Sequence, residues 1–431
     1  MSAAPEEMAC QVCLSPLNTL GMPPTYVHPA HLTTDGHDPA PVPVSRLDTV
    51  HRSCDFCGDP YPTWTLHGGE VTAIAISPTT GLVQDFGHAW ATCATCHTHI
   101  DDRRNDKVVD RAARALGFGN HPQARERIAE LHDAFLTARL PGRTLITTTA
   151  WPATTITAGE LPKIRDRLTR FYRGADKLPA ALGITDVRDQ IAASLDRSHL
   201  YWIDNDFTDL AEHAAAQLPD VSISRDLMPS ADGMLVWPRP VTHRQFTAAS
   251  WASTNDRLQL VLYRAIGGSL DGKPLQRLRE QVGWLVPMSA THLPERRVVP
   301  GSHPSAMLVA TWLLITQQAA EVTAARVDKG VAKTYARTGR PTPEVRIVRI
   351  RGPRTSAPPG RRPTPDGTER SQTSRVWVSG HWRNQAHGPG RKLRRPVYIH
   401  PFLRGPDDAP IRLSTTVRML SSRRPKPDGR E

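Results

Sequence analysis

The sequence lacks any apolar run long enough to cross a bilayer. The longest, Met307 to Ile315, contains Thr311 and falls far short of the roughly 20 residues a spanning helix needs. No apolar signal-peptide core stands near the start. Aromatic residues are scarce at 6%, and hydrophobic residues reach 39%, enough for a core but below the usual share. There is no phosphate-binding loop, no His-Glu-x-x-His, no nucleophile elbow and no paired-acid motif. Cysteine is also scarce. Its six residues all fall in Cys-x-x-Cys pairs: Cys10/Cys13, Cys54/Cys57 and Cys93/Cys96. A secreted disulfide framework is therefore not expected. The spacing suits metal ligands in a reducing, cytoplasmic setting with no membrane partner.

What is present in excess is proline, with 39 residues, and positive charge, with a net of +12 and a pI near 9.8. The length of 431 residues suggests about two to four domains. The charge is uneven. From Arg326 onward there are 25 Lys+Arg against 8 Asp+Glu, a net of +17, which leaves 29 against 34 in the preceding residues. A mildly acidic body thus carries a strongly basic C-terminal quarter. Such a quarter is either a solubilising surface or a contact for a polyanion, since guanidinium pairs bidentately with phosphate.

Cys54-Asp-Phe-Cys57 and Cys93-Ala-Thr-Cys96 form the strongest motif pair. Each pair turns two thiolates toward one metal, and two pairs complete a tetrahedral site. The strand-like residues between them, Thr63–Leu66 and Val71–Ile76, suggest a zinc ribbon with both pairs on β-hairpins. Cys10 and Cys13 need other partners. His28 and His37 are the expected ligands, with His31 as the substitute. Two structural zinc ions are expected, because four-ligand closure leaves no open position for a catalytic water. His51, His97 and His99 are expected outside the ligand sets.

The expected fold class is α+β. Residues 1–100 form a zinc-ribbon-like domain, 101–142 a helical hairpin and 143–335 a mixed α/β domain. A basic β-rich domain at 340–420 is interrupted by a disordered 352–374, before a loose tail at 421–431. Ser305 to Ala325 reads as one long helix. Leu200–Ile203, Gly233–Trp237, Leu258–Ala265 and Gly283–Pro287 read as strands. So do Glu344–Arg351, Arg375–Trp382, Pro396–Phe402 and Ile411–Leu420. Asp204 and Asp206 read as caps of the helix near Phe207, with a metal site as the alternative.

The C-terminal segment interleaves aromatics with arginines. Arg375, His381, Trp382, Arg383, Arg391, Arg394, Arg395 and Arg404 are the candidate contacts to nucleic acid or another partner. On a strand, Trp382 faces opposite to His381 and Arg383. Whether Trp382 packs in a core or stacks on a base is open at this point. His381, His387 and His400 have no partnering acid at useful spacing, so a catalytic or metal trio is not favoured.

These motifs carry a resemblance. The N-terminal Cys-x-x-Cys, Tyr26-Val-His28, Cys54-Asp-Phe-Cys57 and Trp90-x-x-Cys-x-x-Cys96 are part of it, with Gly233-Met-Leu-Val-Trp237 and Gly380-His-Trp-Arg-Asn-Gln385. Together they resemble an uncharacterised family of actinobacterial and phage mobile-element proteins. The family brings no established activity. The Gly-His-Trp-Arg stretch also resembles the end of phage proteins related to a type V anti-CRISPR inhibitor. That likeness implies binding to a Cas effector or its expression machinery.

Three functions follow as expectations. The first is a zinc-stabilised, non-enzymatic protein that contacts nucleic acid or a ribonucleoprotein. The second is an inhibitor or adaptor that binds a host protein. The third, least supported by motifs, is an enzyme with its site in 143–300.

Overall fold

A computed structural model describes residues 7–20, 23–28, 36–69, 72–76, 81–85, 87–253, 257–317, 320–325, 327, 329–350, 375–378, 380–400, 402–406 and 410–412. The expected disorder at 352–374, the tail at 421–431 and most of the strand at 411–420 lie outside them.

The elements that position the sites begin with β1 (Trp64–His67), β2 (Ala89–Thr92), α1 (Ala94–Asp101), α2 (Asn105–Ala115), α3 (Pro122–Thr137) and β3 (Thr144–Leu145). Next come α4 (Leu161–Arg173), α5 (Arg188–Arg197), β4 (His199–Ile203), α6 (Asn205–Ala215), β5 (Asp232–Val241), β6 (Phe246–Ser253) and β7 (Arg257–Ala265). They are followed by α7 (Gly272–Gln281), β8 (Leu285–Pro294), α8 (Ala306–Ile315), β9 (Ala320–Ala325), α9 (Lys329–Arg337) and β10 (Val345–Ile350). A hairpin of β11 (His381–His387) and β12 (Leu393–Ile399) comes last.

The fold is α+β around a mixed seven-stranded sheet, ordered β8-β7-β6-β5-β4-β10-β9. β5, β4 and β10 run parallel, and the pairs outside this trio are antiparallel. Alternation divides the strands between two cores. Tyr201, Leu235, Trp237 and Trp251 face α6 and α8. Leu200, Met234, Val236 and Tyr263 face α4 and α5. Helix α6 begins where the Asp204 carboxylate accepts the N–H groups of Asp206 and Phe207. Asp204 is the cap, as expected, whereas Asp206 stands inside the first turn and donates its N–H to that cap.

Four expectations are corrected. The helix foreseen over 305–325 stops at Ile315, and Ala320–Ala325 returns as edge strand β9. Helix α8 is buried on nearly every side, so it has no polar stripe that would mark where it stops. Strand β10, assigned to the basic domain, lies inside the central sheet between β4 and β9. The short strand at 283–287 extends to Pro294 as β8. The strand expected over 375–382 divides into Arg375–Val378 and β11, and that over 396–402 into β12 and Phe402–Arg404.

The Cys-rich region is not a separate layer. Strand β1 pairs with β2 and also with β3 from beyond the helical hairpin. Trp64 and Ala94 belong to the core under α4. The Gln281 amide on α7 donates to the Ala94 carbonyl and the Thr98 hydroxyl at 2.8 and 2.9 Å, and its carbonyl accepts from the Trp64 indole at 2.7 Å. Arg264, a buried residue of β7, donates to the carbonyls of Asp48 and Thr149.

Gly233 pairs with Trp251, whose ring lies over it. A Cβ at residue 233 would stand 2.1 Å from that ring. Gly233→Ala is therefore expected to lower stability by about 1–3 kcal/mol, read from the midpoint of urea unfolding.

Candidate metal centres and the basic hairpin

The first four-residue group is built by a tight turn and a helix start. The Cys54 carbonyl accepts the N–H groups of Cys57 and Gly58, and Gly58 takes a left-handed φ of +71°. Asp55 fixes this turn against β2, donating its N–H to the Ala91 carbonyl and accepting the Ala91 N–H on its carboxylate. Below it, Phe56 packs on Trp90, which stacks on Phe135 at 4.3 Å. Cys93 caps α1, its sulfur accepting the Cys96 N–H, so both sulfurs of this pair meet the positive end of a helix.

The sulfurs of Cys54, Cys57, Cys93 and Cys96 lie within 4.8 Å of one another, and all four residues are buried. Cys57 Sγ and Cys93 Sγ stand 3.9 Å apart. That is nearly twice a disulfide bond length. It matches the edge of about 3.8 Å that a tetrahedron of 2.3 Å metal–sulfur bonds requires. Burial pushes the Cys54 thiol up, and the three neighbouring sulfurs push the same way. The Cys57 thiol is driven far down by its contacts with those sulfurs and by Arg111. Four sulfurs at this spacing can hold one metal ion.

Arg111 of α2 supports this group. Its Nη2 lies 3.5 Å from Cys57 Sγ and 3.9 Å from Cys93 Sγ, and 3.6 Å from the Asp59 carboxylate. Nothing local in the sequence marks Arg111 or Gln281, since their partners are far along the chain. The expected zinc ribbon is corrected in one respect. The second cysteine pair sits at the start of α1, not on a hairpin, because Cys93 caps a helix that packs on α7.

The second group is Cys10, Cys13, His28 and His37, whose ligand atoms also lie within 4.8 Å. Cys10 Sγ is 3.4 Å from His37 Nε2, and Cys13 Sγ is 3.4 Å from His28 Nε2. Burial opposes ionisation of Cys10, but the Ala40, Cys13 and Val12 N–H groups and His28 hold its thiol down to about 5. Only Cys10 is fully buried here. His31 lies outside the described residues. His97 and His99 are buried outside both ligand sets, and His51 is exposed. His97 meets the Asp101 carboxylate at 3.1 Å and the Arg143 guanidinium at 3.0 Å.

That contact borders a cleft of about 370 Å³. Its arginines Arg143, Arg167 and Arg170 are balanced by Asp101, Asp102, Asp176 and Glu280.

The C-terminal candidates divide. Trp382 donates its indole N–H to the Ala214 carbonyl at 2.9 Å and meets Tyr398 edge-on at 5.2 Å. Its ring thus packs against the body. Arg395 donates to the Thr316 hydroxyl at the end of α8. His381, Arg383, Arg391, Arg394 and Arg404 are exposed. Arg375 is half-buried in a small sheet, where its neighbour Val376 pairs with Arg404. His381 and His387 sit at opposite ends of β11, away from any trio with His400.

Elemental analysis of the purified chain is expected to give about two metal ions, one for each ligand set. Cys96→Ser and Cys13→Ser should each remove about one. Under a chelator, the partly exposed Cys10 set should empty first. Acidification should release both metals, because protons compete for the ligands. Comparison with protein-family models, curated proteins and solved structures finds no match for the chain.

Proposed function

We propose that the chain is a zinc-stabilised, non-enzymatic binding protein that contacts nucleic acid through its basic C-terminal hairpin. Zinc suits both ligand sets, since it takes four thiolates or a thiolate–imidazole mix in tetrahedral geometry. Four protein ligands leave no open position, so the role of each metal is to hold the chain around it.

The observation that carries the reading is the hairpin itself. From Arg370 to Pro406 there are eight Lys+Arg and no acidic residue. Trp382 and Tyr398 anchor one end of the hairpin on α6 and α8, while Arg383, Arg391, Lys392 and Arg394 remain exposed. A rigid mount with unneutralised cations attracts phosphates, and the counterions released supply affinity.

The expected outcome is tight binding of DNA or RNA at low salt that falls steeply as salt rises. Replacing Arg391, Arg394 and Arg404 together by alanine should flatten the salt dependence, with the melting temperature unchanged. Binding can be followed by fluorescence anisotropy. Absence of binding in low salt would refute the reading. A second reading, an adaptor to a host protein, is favoured by exposed Phe402 and Leu403 beside the cations. It predicts capture of one host protein after nuclease treatment, lost in Leu403→Asp.

A further inference from the structure

The hairpin has more shape than a charged patch. Strands β11 and β12 pair over seven registered residues, from His381–Ile399 to His387–Leu393. At about 3.4 Å per residue the ribbon extends roughly 20 Å. Burial is concentrated at the Trp382–Tyr398 end. Toward the turn both faces open, with Arg383, Asn384, Gln385, His387, Leu393 and Arg394 exposed.

Paired residues share a face. Trp382 and Tyr398 lie on the face that meets the body. The opposite face carries exposed Arg383, Gln385 and His387 on β11, and across from Gln385 it carries Arg395, which reaches back to the Thr316 hydroxyl at the edge of the body. Arginine matches the O6 and N7 edge of guanine, and glutamine the N6 and N7 edge of adenine. The turn, with Arg391 at φ +55°, places Arg391 and Lys392 at the tip, and Arg394 follows on β12.

We propose that this ribbon enters the major groove of duplex DNA, where Arg383 and Gln385 read base edges and Arg391 and Arg394 hold flanking phosphates. The proposal rests on the nucleic-acid reading above and narrows it to one partner. A major groove about 12 Å wide admits a two-stranded ribbon. The deep, narrow major groove of an RNA duplex does not. Single strands are held by stacking on aromatic rings, and the hairpin's own two rings, Trp382 and Tyr398, are turned into the body.

The test uses the full-length, metal-loaded chain. Duplexes are selected from a random DNA library, and anisotropy then compares the selected duplex, a scrambled duplex, an RNA duplex and a single strand. The selected duplex should share a short motif containing guanine and adenine and bind at least about tenfold tighter than the others. Arg383→Ala should cost about 5- to 150-fold on the selected duplex and little on the scrambled one. Arg383→Lys should relax the motif while leaving the salt slope intact, because it keeps the charge and loses the bidentate fork. Arg391→Ala and Arg394→Ala should weaken both duplexes alike, each flattening the slope by about one.

Equal binding to RNA duplex or single strand overturns the proposal and leaves the nucleic-acid reading standing. So does selection without a motif, or a uniform loss in Arg383→Ala. Failure to bind any nucleic acid at low salt overturns both.

Discussion

Four cysteine sulfurs confined to one small volume form a set that can hold one shared cation, and much of the N-terminal architecture is built around that set. The Cys54 group joins a turn to the first residues of α1, so an ion held there would tie that turn to the start of the helix. Helix α1 is in turn held by Gln281 through two hydrogen bonds, and Gln281 also takes the Trp64 indole N–H. The ligand set is therefore linked through Gln281 to the core under α4. Arg111 stands where it would oppose the negative charge that four thiolates leave around a divalent ion.

The ligand sets were legible because they are nearly local. Cys-x-x-Cys states its own geometry, and His28 and His37 lie close along the chain to Cys10 and Cys13. Helix α1 was not legible, because its start depends on a cysteine acting as a cap and its packing depends on α7, far along the chain. The end of α8 was hidden for a different reason. A helix buried on all sides shows no stripe, so the change to strand β9 has no periodic signal. Alternation correctly set Trp382 against His381 and Arg383, but only tertiary contact decides which of the two faces packs.

The basic quarter is accordingly not one unit. Its first strand, β10, is interior to the central sheet, whereas the hairpin rides on the outside of α6 and α8. The same pair of aromatics that could have served as a stacking platform instead gives the hairpin a fixed base. Burial at one end and exposure at the other leave the hairpin's arginines at the surface with no acidic residue on either strand.

The place of β10 also bears on synthesis. β4 is made early, but its neighbour on one side is completed only at Ile350. At elongation rates of about 5–20 residues per second, β4 waits roughly seven to thirty seconds with that edge unpaired. An open central edge is a template for pairing with other chains. The nascent protein thus passes through a vulnerable interval that a holdase could cover, and a ribosome stalled before residue 345 would release a chain unable to close its own sheet.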